Sequence, residues 1–152
     1  MRLISPAFAA GGPVPRHFTC DGGNVSPPLI WSDPPAGTRS LALVCADPDA
    51  PRGTWYHWAI YDIAPGIRSL EEHWPRTGTV PPQAINDFHR SGYDGPCPPA
   101  GARAHHYHFK LYALNVDHLV AAARTHCRQI EQASEAHAIA TAELIGVYGR
   151  AA

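Results

Sequence analysis

Three histidines and a tyrosine open the stretch AHHYHFKLYAL at residues 104–114, ahead of a run of apolar residues. Imidazole and phenol groups serve as metal ligands, general bases or hydrogen-bond donors to an anion, so this stretch is a candidate site. Its aromatic and apolar residues predict a β-strand on which His105 and Tyr107 share the core-facing side with Phe109 and Leu111. The opposite side, which we expect to be solvated, carries His106, His108, Lys110 and Tyr112.

An acidic residue closes a second predicted strand. Residues 40–46, SLALVCA, form an apolar run that is typical of a buried strand. Strand alternation places Asp47 on the same face as Leu43 and Cys45, so a carboxylate ends a core-facing row. A buried charge is costly without hydrogen-bond donors or a cation, and we therefore expect Asp47 to have such partners.

A third predicted strand carries another histidine. Residues 55–63, WYHWAIYDI, are rich in aromatic and β-branched side chains, and His57 stands near their start beside Trp55. The stretch GPCPPAG at 95–101 predicts a rigid loop. If the strand ends converge at one rim below this loop, they enclose a small, aromatic-walled pocket. Taken singly, a histidine on a strand is more often a hydrogen-bonded structural residue than a ligand or base, and the Asp-Pro sequence is also typical of an ordinary turn.

The elements that must position these residues follow from composition. The 152 residues are 45% hydrophobic and 16% charged, which predicts one globular domain over 1–152. Prolines and glycines are concentrated in the first two thirds and separate short β-like runs, as in an antiparallel β-sandwich. From Asp117, a predicted N-cap, to about Leu144 the chain has neither residue and predicts one or two amphipathic helices. Their predicted buried stripe consists of Ile130, Ala133, His137, Ala140 and Leu144.

Charge and cysteine content argue against several classes of protein. A net charge of −1 and a single lysine, Lys110, disfavour nucleic-acid binding. No apolar run is long enough to span a membrane, and the N-terminal residues lack the apolar core of a signal peptide, which predicts a cytoplasmic protein. The four cysteines form no C-x-x-C pair, so we expect free thiols and no structural zinc site.

In this order the motifs resemble those of the phosphatidylethanolamine-binding proteins, and more narrowly their bacterial Raf-kinase-inhibitor-like branch. The matching stretches span nearly the whole chain: FTCDGGNVSPPLIW at 18–31, SLALVCADPDAP at 40–51, TWYHWAIYDI at 54–63, GYDGPCPPAGARAHHYHFKLYAL at 92–114 and AELIGVYGR at 142–150. The resemblance implies a mainly β fold, an antiparallel β-sandwich of a large sheet on a small one with C-terminal α-helices. It also implies a pocket, without metal or cofactor, for phosphate, phosphorylated headgroups or carboxylates.

The family motifs, matched to this sequence, imply which residues bind the ligand. These are Asp47, Trp55, His57, Gly95, Cys97, Pro98, His105 and Tyr107. The family also places the loops that carry Cys20 and Cys97 around the same pocket, so the two cysteines are expected to lie near one another.

Three positions depart from the family pattern. His106 stands where an arginine is common, Asp94 stands in a loop where a small neutral residue is usual, and Ala136 stands where the bacterial branch tends to have glycine. The first change weakens the positive field near the pocket, and the second is expected to bring a negative charge close to its mouth. The resemblance implies a site that binds an anion, and both changes are expected to lower its affinity.

We therefore expect a binding protein rather than an enzyme. The Tyr107 O–H, the imidazole N–H groups of His57 and His105, and the backbone amides of residues 95–98 are donors for an anion. Asp47 would hold a histidine in its protonated form or correct tautomer, or accept from an ammonium headgroup. The resemblance further implies a protein partner such as a kinase or protease, and a homodimer.

An enzyme remains the alternative interpretation of the same residues. A hydrolase would use His57 or His105 as general base and Asp47 to orient it, and a metal-assisted enzyme would use these three as zinc ligands. The chain lacks the motifs G-x-S-x-G, H-E-x-x-H and G-x-x-x-x-G-K, which disfavours several common hydrolase and nucleotide-binding classes.

Overall fold

A computed structural model describes residues 1–78, 80–119 and 121–151. Across this part of the chain there are seven β-strands, one α-helix and a short 3₁₀ helix, Arg16–Phe18. The strands are β1 (Leu3–Ile4), β2 (Leu29–Trp31), β3 (Ser40–Asp47), β4 (Trp55–Ile63), β5 (Ser69–Leu70), β6 (His105–Leu114) and β7 (Ala138–Tyr148), and the helix is α1 (Cys127–His137).

The strands form two antiparallel sheets that pack face to face. The large sheet has the order β4-β3-β6-β7 and the small sheet the order β1-β2-β5. Side chains from both sheets meet in one buried apolar cluster, to which the small sheet contributes Leu29 and Trp31 and the large sheet Leu43, Trp58 and Phe109. The predicted fold, a large sheet on a small one, is confirmed.

Strand alternation in β6 follows the sequence pattern on the side that faces the small sheet. His105, Tyr107, Phe109 and Leu111 are buried there, and His106 on the other side is exposed. Tyr112 contradicts the expectation of a solvated second side, because it is buried in a separate apolar cluster. That cluster exists because α1 covers the second face of the large sheet, a contact that a strand's own periodicity does not reveal.

The C-terminal third contains one helix and one long strand, which corrects the predicted extent of helix. Helix α1 begins after His126, whose side chain accepts from the Arg128 amide while its own amide donates to Gln129. The predicted N-cap, Asp117, instead forms an ion pair with Arg39.

Strand β7 holds the last two residues of the predicted helical stripe. Ala140 and Leu144 lie on β7, which pairs with the whole of β6. The stretch 138–148 also alternates at a period of two, with Leu144 and Gly146 turned inward. The alanine-rich sequence fits both the helical period and the strand period of two. Pairing with the long neighbouring strand β6 therefore decides in favour of the strand.

Candidate ligand-binding pocket

The ends of three neighbouring strands converge on one cavity of about 220 Å³. Strand β3 ends at Asp47, which pairs directly with Trp55 at the start of β4, while β6 starts on the other side of β3 at His105. Antiparallel pairing thus brings one terminus of each strand to the same rim. The residues that line this pocket are Asp47, Ala50, Pro51, Trp55, His57, Phe88, Cys97, Pro98, Pro99, His105 and Tyr107.

Seven of the eight predicted site residues line the pocket. The exception is Gly95, which packs against the backbone of Phe18 so closely that a side chain would collide with the Phe18 carbonyl. Gly95 therefore lets the loop pass this backbone rather than forming the wall itself. Sequence reasoning missed Phe88, whose ring contacts both Trp55 and His57. No residue pattern around position 88 signals this role.

Asp47 and His105 form a buried pair at the rim. The His105 Nδ1 atom lies 2.7 Å from Asp47 Oδ2, and Asp47 Oδ1 accepts from the Asp49 amide at 2.8 Å. A carboxylate only accepts, so His105 Nδ1 carries the proton of this bond. The remaining polar atom of the ring is Nε2, which accepts when the imidazole is neutral and donates when it is cationic.

His57 is fixed in one tautomer by the backbone. Its Nδ1 atom lies 2.6 Å from the carbonyl oxygen of Asp94, and a carbonyl only accepts, so Nδ1 carries a proton. Burial lowers the pKa of His57, which favours the neutral ring and leaves Nε2 with a lone pair. In the neutral ring Nε2 is an acceptor, not the N–H donor that the sequence suggested, and the role of His57 towards an anion stays a prediction.

Tyr107 supplies the clearest donor in the pocket. Its hydroxyl is fully buried and has no hydrogen-bond partner among the described residues. The ring lies between the two histidines, 5.3 Å from His57 and 6.4 Å from His105, centroid to centroid. Burial raises the pKa of Tyr107, so the hydroxyl keeps its proton at physiological pH.

The loop that covers the pocket is tied to the N-terminal part of the chain. A disulfide joins Cys20 to Cys97, and this contradicts the expectation of free thiols for two of the four cysteines. The other two, Cys45 and Cys127, are free and buried.

Few backbone amides of this loop are available to a ligand. The Gly95 amide donates to Asn24, and the prolines at 96 and 98 have no N–H group. Within residues 95–98, the Cys97 amide alone can therefore act in the way that the sequence suggested for the whole loop.

Asp94 does not bring a free negative charge to the mouth of the pocket, as the sequence suggested. Its carboxylate is buried and accepts hydrogen bonds from Arg76, Arg90, Asn86 and Asn24. Burial alone would raise the pKa of Asp94, but the hydrogen bonds from the two arginines and Asn86 lower it below its usual value. The charge is thus neutralised inside its own network.

The remaining histidines of β6 point away from the pocket. His106 pairs with Asp49 at 2.7 Å and His108 with Glu143 at 3.2 Å. The hydrogen bond from His106 lowers the pKa of Asp49, whose carboxylate also accepts from the His106 amide. Ala136, the third departure from the family pattern, lies exposed near the end of α1 and does not line the pocket.

Across 1–78, 80–119 and 121–151, no group of three or more His, Cys, Asp or Glu side chains is placed to hold a metal ion. In that same part of the chain, no helix has the length and apolar character needed to cross a bilayer.

Comparisons with known proteins identify the family. Residues 4–149 match the family described as phosphatidylethanolamine-binding protein. A UPF0098 protein from Methanothermobacter thermautotrophicus is 44% identical over 155 residues, covering 99% of both chains. "Putative lipoprotein LppC" from Mycobacterium tuberculosis is 49% identical over 118 residues, covering 76% of this chain and 56% of its own.

A solved structure agrees with this assignment. Escherichia coli YbcL, described as a new member of the mammalian PEBP family, superposes with a TM-score of 0.90 at 34% identity and covers 97% of each chain. The resemblance inferred from the motifs is therefore confirmed, and the chain belongs to the phosphatidylethanolamine-binding protein family.

Proposed function

We propose that this protein binds a small oxyanion, namely phosphate, a phosphorylated headgroup or a carboxylate, in the pocket at the ends of β3, β4 and β6. The observation that carries the proposal is the buried hydroxyl of Tyr107, which has no hydrogen-bond partner in the part of the chain that the structure describes. A buried donor without a partner costs roughly 1–3 kcal/mol, and an oxyanion that accepts from it removes this cost.

His105 supplies the positive charge in this proposal. With Nδ1 donating to Asp47, Nε2 is the ring atom that His105 has left for the ligand, and in the imidazolium form it is a donor. Among the described residues that line the pocket there is no arginine or lysine. The attraction for an anion therefore depends on His105 and on neutral donors, which predicts modest affinity.

The pocket favours binding over catalysis. Among the described lining residues, Tyr107 carries the one hydroxyl, and its raised pKa makes it a poor nucleophile. Cys97 is tied up in the disulfide and is not a free thiol. We accordingly propose a non-enzymatic role, in which the bound group is held rather than transformed.

The disulfide bears on the compartment. The sequence predicted a cytoplasmic protein, whereas a disulfide between Cys20 and Cys97 is typical of an oxidising environment. We propose that the protein works where this bond persists. Thiol titration of the denatured protein, isolated without reductant, is expected to give two free thiols from Cys45 and Cys127. A count of four would contradict this and support a reducing compartment.

Calorimetric titration with methyl phosphate at pH 6 tests the binding proposal. Tyr107→Phe removes one hydroxyl and is expected to weaken binding about tenfold, because the ligand loses a buried donor. The matched control is Tyr112→Phe, which changes a buried tyrosine on the opposite side of the same strand. Equal affinity in wild type and Tyr107→Phe, or equal losses in both variants, would contradict the proposed site.

A further inference from the structure

We infer that the pocket selects oxyanions that carry a proton, and that this ligand O–H donates to Nε2 of His57. The inference rests on the proposed function and narrows it to a ligand class. Phosphate monoesters in their monoanionic form satisfy the requirement, whereas sulfate esters of the same shape and charge do not.

The first argument is the fixed tautomer of His57. The ring is 98% buried, and its Nδ1 proton is committed to the Asp94 carbonyl at 2.6 Å. Asp94 itself is held by Arg76 and Arg90, so the carbonyl is part of a rigid network. With Nδ1 engaged, Nε2 is the one polar atom that His57 can offer to a ligand, and in the neutral ring it is a lone pair that needs a donor.

The second argument is the charge of the pocket. Asp47 contributes a negative charge, and His105 is the one described lining residue beside His57 that is able to become cationic. The Asp47–His105 pair therefore has a net charge of zero at most, and a dianionic ligand would find no net positive charge in it. A monoanion that keeps one proton is the better match for a pocket of such low charge.

The third argument is the order of donors and acceptors. Tyr107 presents a donor that lacks a partner, and its ring lies edge-to-face on the ring of His57, which presents an acceptor. A protonated phosphate monoester has one O–H group beside unprotonated oxygens, so a single tetrahedral group satisfies both side chains. Sulfate oxygens only accept, and placing one against Nε2 sets two lone pairs against each other.

The expected discrimination follows from general experience with buried polar groups. A site built to hydrogen-bond a ligand hydroxyl rejects the analogue that lacks it, because the buried partner is left unpaired. We expect methyl phosphate to bind at least about tenfold more tightly than methyl sulfate, since leaving one buried acceptor unpaired costs on that order.

The test compares these two probes on the intact, oxidised protein at pH 6. Methyl phosphate is then about half monoanion, because the second pKa of a phosphate monoester is about 6, while methyl sulfate is a monoanion without a proton. A calorimetric affinity ratio of at least about ten supports the inference. Equal affinities would overturn it and leave the oxyanion pocket standing. Failure of methyl phosphate, methyl sulfate, inorganic phosphate and acetate to bind would overturn the proposed function itself.

A variant assigns the effect to His57. His57→Phe keeps an aromatic ring against Phe88 and Tyr107 but has no acceptor, so the ratio between the two probes is expected to fall to within about twofold. The matched control is His108→Phe, on the outer side of β6, which should retain the wild-type ratio. A ratio that persists in His57→Phe would overturn the role of this residue.

Nitrogen NMR of the wild-type protein tests the tautomer without any variant. The chemical shifts of His57 at pH 6 are expected to show a protonated Nδ1 and an unprotonated Nε2 before ligand is added. Addition of methyl phosphate should shift Nε2 towards hydrogen-bonded values. A proton on Nε2 in the free protein would contradict the inference even if His57→Phe failed to fold.

Discussion

Two carboxylates, Asp47 and Asp94, differ in how many hydrogen bonds they accept. Both are almost completely buried. Asp94 accepts from two arginines and two asparagines. Asp47 accepts from one histidine and one backbone amide, and it also lines an open pocket.

We propose that the difference separates a structural charge, Asp94, from a charge that serves the binding site, Asp47. Donors from four residues saturate Asp94, so its network holds the backbone at 92–95 and has no capacity left for a ligand. In the Asp47–His105 pair, Nδ1 of His105 is bonded to Asp47, so Nε2 is the ring nitrogen left for a ligand in the cavity that both residues line. An incompletely satisfied buried pair beside a cavity is a better indication of a binding site than a buried charge alone.

The largest effect is expected from Asp94→Ala, which breaks the saturated network. The variant leaves Arg76, Arg90 and Asn86 without their shared acceptor, and we expect the free energy of unfolding to fall by about 3 kcal/mol. Urea denaturation measures this. The control is Asp33→Ala, which removes an exposed ion pair with Arg68 and should cost less than about 1 kcal/mol. Similar losses of unfolding free energy in both variants would show that the buried Asp94 network contributes no more than an exposed ion pair.

Acid should destabilise the wild type through the same residue. The pKa of Asp94 is lower in the folded protein than the usual value of about 3.9 for an unfolded chain. Its contribution is therefore fully present above the unfolded pKa and is lost as pH falls through the folded pKa. Between pH 5 and pH 2, Asp94→Asn should lose less stability than wild type. Parallel stability curves for the two proteins would contradict this assignment.

The surroundings of Asp47 could be predicted from the sequence and those of Asp94 could not, because the first depend on local strand alternation and the second on contacts between loops. Strand alternation correctly placed Asp47, His105 and Tyr107 on one buried face, because a period of two is a local property of the chain. It gave no indication that Asp94 would meet Arg76 and Arg90, since their pairing is set by loops whose course no periodicity encodes.

The C-terminal third illustrates the same limit. Apolar spacing identified Ile130 within a helix, but the alanine-rich stretch after His137 fits either period and becomes strand β7 through pairing with β6. The pocket itself was predictable as a set of residues from the family motifs. The contact between His57 Nδ1 and the Asp94 carbonyl, on which the proposed acceptor role rests, was not predictable, because no local pattern encodes it.

A smaller effect on stability, but a clear one on binding, is expected from Asp47→Asn. Asparagine keeps an oxygen that accepts from the Asp49 amide or from His105, so we expect unfolding free energy to change by about 1 kcal/mol. The neutral amide replaces the charged acceptor that orients the His105 ring, and methyl phosphate should bind about tenfold more weakly. Calorimetry and urea denaturation on the same samples check the two readouts. A stability loss as large as that of Asp94→Ala would remove the distinction between the two carboxylates.

The smallest effect is expected from changing the two outward-facing histidines of β6 together. His106 and His108 form exposed or half-exposed pairs with Asp49 and Glu143, on the side of the strand opposite His105. Exposed pairs contribute about 0–1 kcal/mol, and glutamine can replace the hydrogen bonds. The double variant His106→Gln, His108→Gln should therefore bind methyl phosphate within a few-fold of wild type.

The double glutamine variant is compared with His105→Ala, which is expected to lose far more affinity. His105 lies one residue before His106, yet removing its ring takes away the proposed contact with the ligand and leaves Asp47 buried without its main partner. We expect a loss of binding of at least about tenfold, measured by calorimetry with methyl phosphate at pH 6. If the double glutamine variant lost more affinity than His105→Ala, the ligand would have to reach the outer side of β6. The alternation of β6, which places His105 and Tyr107 in the pocket wall, would then fail to predict which residues bind the ligand.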